Sequence, residues 1–325
     1  MLKTILSWLL VIIGIKLVAV LIASQFALDP RRDLATREEL SRKYAPNAVF
    51  IGTSRTLYGV DSQLFDSLNH NKTRSFNMGL FSLPASQAFQ IANRIIKTDS
   101  TIKNIFIELS ALDYNTILLE PDRVLPDIAF RNKVLEGGIN FESTQKIKSF
   151  LAGLNTSIYQ MASIAPQIAV VKKAMRPTAD PLEGMPMLRP DGHQPAKDSF
   201  KGSLRYVRDN QKSTTQLLTV GDTVRANQFY IDSINRLISN ANAHQKKVTF
   251  YIPNNVSNTE FLILSQVIPF IPEANLIRLP TDSRLHAFFD PVNLFDVHHL
   301  NQKGARLYTA ILQEEFSKKS ENRKP

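Results

Sequence analysis

Two short segments hold the residue types that acyl-transfer chemistry needs. In Phe50-Ile51-Gly52-Thr53-Ser54-Arg55-Thr56 a serine follows an apolar run and a glycine. Glycine permits a tight turn there, and backbone N–H groups of that turn can face a developing oxyanion. In Leu294-Phe295-Asp296-Val297-His298-His299-Leu300-Asn301 an aspartate and a histidine stand three apart. That spacing can put both on one side of a turn, with Asp296 accepting the Nδ1 proton of His299 and Nε2 left as a base toward a serine. Each segment alone also has a plainer reading. Ser54 suits a helix cap, and the two histidines suit a loop with Asp296 as its turn residue. The G-x-S-x-G elbow of α/β-hydrolases is not met, because Thr56 occupies the last position. Neighbouring histidine side chains diverge and no other histidine clusters nearby, so a metal site is a poor reading.

The pattern around these segments predicts strands and helices in alternation. Ala48 to Ile51 is a short continuous apolar run, as expected of a strand buried on both faces. Further strands are expected at Ser75 to Met78, Ile105 to Leu109, Val248 to Ile252 and Leu276 to Leu279. Helices are expected at Ala85 to Ile96, Ala226 to Ala243 and Gln302 to Phe316, with Asn301 capping the last. Strands separated by helices indicate a parallel sheet covered on both faces, hence an α/β fold. Between Asn115 and Thr219 the pattern is helical and irregular, with prolines at 177, 181, 186, 190 and 195. This stretch reads as a cap over the sheet edge or as a surface excursion.

Residues 4 to 24 are the one long apolar stretch. As a helix its 21 residues would span roughly 31 Å, about the thickness of a bilayer's hydrocarbon core. An uncleaved signal-anchor fits better than a cleaved signal peptide, although Ala23-Ser24-Gln25-Phe26-Ala27 offers small residues to a peptidase. Lys16 interrupts the run and must snorkel or face a partner. Arg31, Arg32, Arg37, Arg42 and Lys43 follow the stretch, against Lys3 before it. By the positive-inside count the C-terminal domain would lie in the cytoplasm.

The chain has no cysteine, which excludes disulfides, thiolate metal sites and a cysteine nucleophile. Its formal charge of +10 suits anionic lipid headgroups or an acidic polymer. The basic residues are dispersed without interleaved aromatics, which argues against nucleic acid.

Taken together, Gly-x-Ser after the first strand and Asp-x-x-His before the last helix resemble the opening and closing blocks of the SGNH (GDSL-like) hydrolase superfamily. Phe-Ile-Gly-Thr-Ser-Arg and Asp-Val-His-His-Leu-Asn-Gln-Lys-Gly are similar to its membrane-anchored envelope branch of DltD-like and alginate O-acetylation proteins. The resemblance implies a flavodoxin-like three-layer sandwich and a serine esterase or O-acyltransferase. It implies a catalytic triad of Ser54, His299 and Asp296, with oxyanion donors from the N–H groups of Ser54 and Gly79. No cofactor and no metal are implied. Implied partners are the bilayer, an envelope polysaccharide or polymer as acceptor, and a membrane-bound acyl-donor protein. It places the domain outside the cytoplasmic membrane, opposite to the charge count. The family's third block, Gly-x-Asn-Asp, is missing, since Ser110-Ala111-Leu112-Asp113 stands there. One such donor is worth about 10²–10³ in rate, so Asn115 or Asn77 substitutes, or catalysis is slow or lost. Asp113 and Glu108 read as structural. The expected boundaries are an anchor at 1–27, a charged linker at 28–45 that is helix-prone around Arg37 to Lys43, and the SGNH-like domain at 46–318. Within that domain an insertion is expected at 116–222, and a polar tail follows at 319–325.

Overall fold

Every apolar run anticipated as a strand becomes one, and all of them pair in parallel. A computed structural model describes residues 2–23, 25, 33–110, 188–196, 199–221 and 224–321, with scattered residues between 129 and 172. The strands are β1 (Ala48–Gly52), β2 (Ser75–Gly79), β3 (Asn104–Glu108), β4 (Lys247–Tyr251) and β5 (Leu276–Ile277). They form one five-stranded sheet in the order β2-β1-β3-β4-β5. β1 pairs with β2 on one side, Gly52 opposite Gly79, and with β3 on the other, Phe50 opposite Phe106. Glu108 lies opposite Tyr251 of β4.

The helices are α1 (Leu2–Ala23), α2 (Leu34–Tyr44), α3 (Ser54–Gly59), α4 (Ser62–Leu68), α5 (Ala85–Thr98), α6 (Leu204–Leu218), α7 (Gln228–Ala243), α8 (Asn258–Leu264), α9 (Ser283–Ala287) and α10 (Gln302–Glu321). Successive strand residues face opposite ways, so each sheet face selects its own helices. On one face Phe50 stacks on Phe106 at 4.4 Å, and Phe65 of α4 and Phe316 of α10 pack on Phe106. On the other, Phe250 meets Phe89 of α5, which also touches Tyr230 of α7. α5 buries Ala88, Phe89, Ile91, Ala92, Ile95 and Ile96, an inward stripe at helical spacing.

Two segments are more deeply integrated than their sequence suggests. The stretch read as a linker carries α2, capped by Asp33 and packed against β2. Its Arg37 is fully buried, donates to Gly192 O and lies over the Phe76 ring. Within the stretch read as an insertion, Asp191, His193 and Gln194 are fully buried. Asn77 N–H donates to Asp191 O across the open edge of β2. Gly192 has φ +84° and would bring a Cβ within 2.3 Å of Asn77 O, so glycine is required there. α6 sends Val207 and Leu217 into the main core. Among the described residues, 188–196 lie outside helix and strand, yet Asp191 to Ala196 are buried.

α1 is exposed along most of its length, with Lys16 and Ala19 half-buried and Ala23 buried, and it is long and apolar enough to cross a membrane.

Candidate active site

β1 ends at Gly52, and the chain turns through Thr53 directly into α3. Thr53 is the extended N-cap, and its hydroxyl accepts from the Arg55 N–H at 3.1 Å. Ser54 is therefore the first residue of α3, at the C-terminal edge of the sheet where open parallel sheets place their ligands. A Cβ on Gly52 would fall 1.9 Å from Thr56 Oγ1 and 2.6 Å from Glu108 Oε2.

The opposing half of the site comes from the loop before α10. An antiparallel bridge between Leu294 and Leu300 closes that loop, and Phe295 N–H donates to His299 O. Asn301 Oδ1 accepts from the N–H groups of Lys303 and Gly304, both at 3.0 Å, capping α10 as its position predicts. Inside the loop Asp296 Oδ1 accepts from the N–H groups of His298 and His299, both at 2.8 Å. Both carboxylate oxygens stand 2.9 Å from His299 Nδ1. His299 Nε2 stands 2.8 Å from Ser54 Oγ. The ring of buried Tyr58 packs edge-on against the imidazole at 5.3 Å.

No known family model, curated protein or solved structure matches this chain.

The three side chains thus form one hydrogen-bonded line between residues 245 positions apart. Burial pushes the Asp296 carboxyl up, but the His299 ring and the two backbone donors outweigh burial and hold it below the usual carboxylate range. An ionised Asp296 fixes the tautomer with Nδ1 protonated and leaves Nε2 to accept the Ser54 proton.

Beneath Ser54 lies a network whose role is not evident from sequence. Glu108, at the end of β3, accepts from Thr53 N–H at 2.9 Å, Thr53 Oγ1 at 2.8 Å and Thr56 Oγ1 at 2.5 Å. Arg55 Nε donates to Glu108 at 3.0 Å, and its two terminal nitrogens hold Glu260 of α8 at 3.0 and 2.8 Å. Arg55 also donates to Asn255 O, and Tyr251 OH meets Thr56 Oγ1 at 2.6 Å. Burial raises the Glu260 carboxyl, but the Arg55 guanidinium and the Ser257 donors bring it below its ordinary value. Ser257 and Glu260 complete a reciprocal capping box at the start of α8. The network clamps the Ser54 turn to β3, β4 and α8. The one sequence signal was a carboxylate on the inward face of an otherwise apolar strand.

The expected oxyanion donors divide. Ser54 N–H makes no hydrogen bond among the described residues and lies in the turn that faces the pocket. Gly79 N–H, the second expected donor, is instead taken by Asn77 Oδ1 at 2.8 Å. β2 ends so close to α3 that a Cβ on Gly79 would sit 2.3 Å from Leu57 N. Asn77 cannot substitute either, because its Nδ2 donates to Thr56 O and Val60 O, both at 2.7 Å. Asp113 and Asn115 lie outside the described residues.

A pocket of about 180 Å³ opens over this arrangement, lined by Thr53, Ser54, Arg55, Ser257, Glu260, His298 and His299. Among the described residues no group of three or more His, Asp or Glu side chains is arranged to hold a metal ion.

Proposed function

We propose that the protein is a membrane-anchored serine esterase or O-acyltransferase of SGNH type, acting on ester-linked acyl groups of an envelope polysaccharide or polymer. The observation that carries this reading is the Ser54–His299–Asp296 line at 2.8 and 2.9 Å, at the C-terminal edge of a parallel sheet. The strand order 2-1-3-4-5, with aromatic side chains from helices packed on each face, supports a flavodoxin-like sandwich. In the reaction, His299 Nε2 takes the Ser54 proton and Oγ bonds to the carbonyl carbon. The alcohol then leaves with that proton, giving acyl-Ser54. A sugar hydroxyl or water attacks next, and its proton passes to His299 before Ser54 Oγ is released. Ser54 N–H is the donor available to the oxyanion. A pocket of about 180 Å³ suits a short acyl chain.

α1 supports single-pass anchoring, and the family resemblance supports an extracytoplasmic domain that receives its acyl group from a membrane-bound donor. Full-length protein in detergent should release nitrophenol from p-nitrophenyl acetate, and Ser54→Ala should reduce release to the buffer rate. A glycan acceptor that becomes acetylated during turnover identifies a transferase, and acetate alone an esterase. Folded wild type indistinguishable from buffer contradicts the proposal.

A second reading is favoured by the occupied Gly79 N–H and the missing asparagine block. In it the fold serves as an envelope binding or assembly module, and Ser54→Ala leaves the cellular phenotype intact.

A further inference from the structure

Lys16 is a cation in the middle of an apolar helix, a position that demands polar partners. Its Nζ donates to Ser163 O at 2.6 Å and to Gln167 Oε1 at 2.9 Å. Those two groups belong to one turn of chain. Ala165 N–H donates to Ser163 Oγ, and Ile168 N–H donates to Ile164 O at 3.0 Å. The turn therefore presents a carbonyl and an amide to α1. Ile168, next along the chain, is 42 % exposed. Ile147 and Leu151 in the same stretch, four apart and both helical, are also exposed.

Depth along α1 decides what surrounds this turn. Lys16 lies seven residues before Ala23, the end of the helix, which at 1.5 Å per residue is about 10 Å. If α1 spans the bilayer, as proposed above, that point lies inside a hydrocarbon core about 30 Å thick. Groups bonded to Lys16 share its depth, and backbone at such depth must have its hydrogen bonds satisfied by protein. The Ser163 carbonyl meets that demand through Lys16, and the Ile168 N–H through Ile164.

We propose that the turn at residues 163–168 is seated in the membrane beside α1, with Ile168 against lipid acyl chains. Lys16 is then a tether rather than a defect of the anchor. The same part of the chain later buries Asp191, His193 and Gln194 beside β2, ahead of α6. The site's edge is thereby tied to the membrane through this stretch as well as through α1. This inference rests on the anchoring part of the proposed function and not on its chemistry.

The chain contains a single tryptophan, Trp8 in α1, which gives the test an internal control. The full-length protein is placed in phosphatidylcholine vesicles whose acyl chains are brominated, and tryptophan emission is read. Quenching of Trp8 in the wild type reports α1 in the bilayer. In a W8F/I168W variant the tryptophan at the turn should also be quenched by brominated lipid and shielded from aqueous acrylamide. Adding Lys16→Leu to that variant should lower the quenching and raise the acrylamide accessibility. Quenched Trp8 together with an unquenched, acrylamide-accessible probe at 168 overturns the proposal while leaving the anchor intact. Unquenched wild-type Trp8 removes the anchor and this inference together. Quenching at 168 that is indifferent to Lys16→Leu contradicts the tether.

Discussion

Replacing His299 with alanine is expected to lower ester turnover about 10⁶-fold, the scale on which loss of a triad base acts. Among the described residues the imidazole is the hydrogen-bond partner of Ser54 Oγ that can accept its proton, at 2.8 Å. Asp296→Asn should lower kcat about 10⁴-fold, because an amide favours the wrong tautomer while preserving shape. The effects must not add, since residues acting as one unit fail together. Ser54→Ala with His299→Ala should be no slower than either alone. Steady-state turnover of an aryl ester by full-length variants in detergent measures all of this. Melting temperature is measured alongside, because buried His299 packs against Tyr58 and its loss takes a partner from the Asp296 carboxylate. A His299→Ala enzyme within tenfold of wild type would mean that the 2.8 Å contact has no chemical role.

The second large effect concerns folding more than rate. Glu108→Ala removes a fully buried carboxylate that binds Thr53, Thr56 and Arg55 together. It leaves part of the Arg55 guanidinium without its partner. Breaking a buried pair in this way costs about 3–5 kcal/mol. At the roughly 2–4 °C per kcal/mol typical of domains this large, thermal melting should fall by about 6–20 °C. The Ser54 turn should loosen with it, so kcat falls even where the variant is folded. Glu260→Gln tests the other side of Arg55 through pH. The Glu260 pKa is depressed on folding, so its contribution is present above the ordinary glutamate range and is lost as pH falls through the folded value. Wild type should therefore lose stability on acidification more steeply than Glu260→Gln. Parallel curves from urea denaturation would contradict the assigned ion pair.

What was legible in the sequence was the geometry that depends on local order. Gly52 before Ser54 and Asp296 three before His299 are short-range signals, and each alone also suits a cap or a loop until the fold brings Ser54 and His299 within 2.8 Å. The strands were legible for a similar reason, since continuous apolar runs such as Ala48 to Ile51 have few alternatives to a buried strand. Groups whose roles depend on what packs across from them were not legible. Glu108 carries its meaning only once β3 lies beside β1 and Gly52 leaves room for its carboxylate. Gly79 matched an oxyanion position by motif, yet Asn77 two residues earlier captures its N–H because β2 abuts α3. Arg37 looked like linker charge until its burial against Phe76 and Gly192 was visible. Lys16 likewise gained partners from a segment 147 residues away.

In the proposed mechanism Ser54 is an activated nucleophile. Full-length protein treated with a fluorophosphonate and digested for mass spectrometry should carry the adduct on Ser54 alone. Labelling should be lost in Ser54→Ala, strongly slowed in His299→Ala and unaffected by Ile168→Trp. A folded wild type that stays unlabelled, or an adduct on another serine, would contradict it.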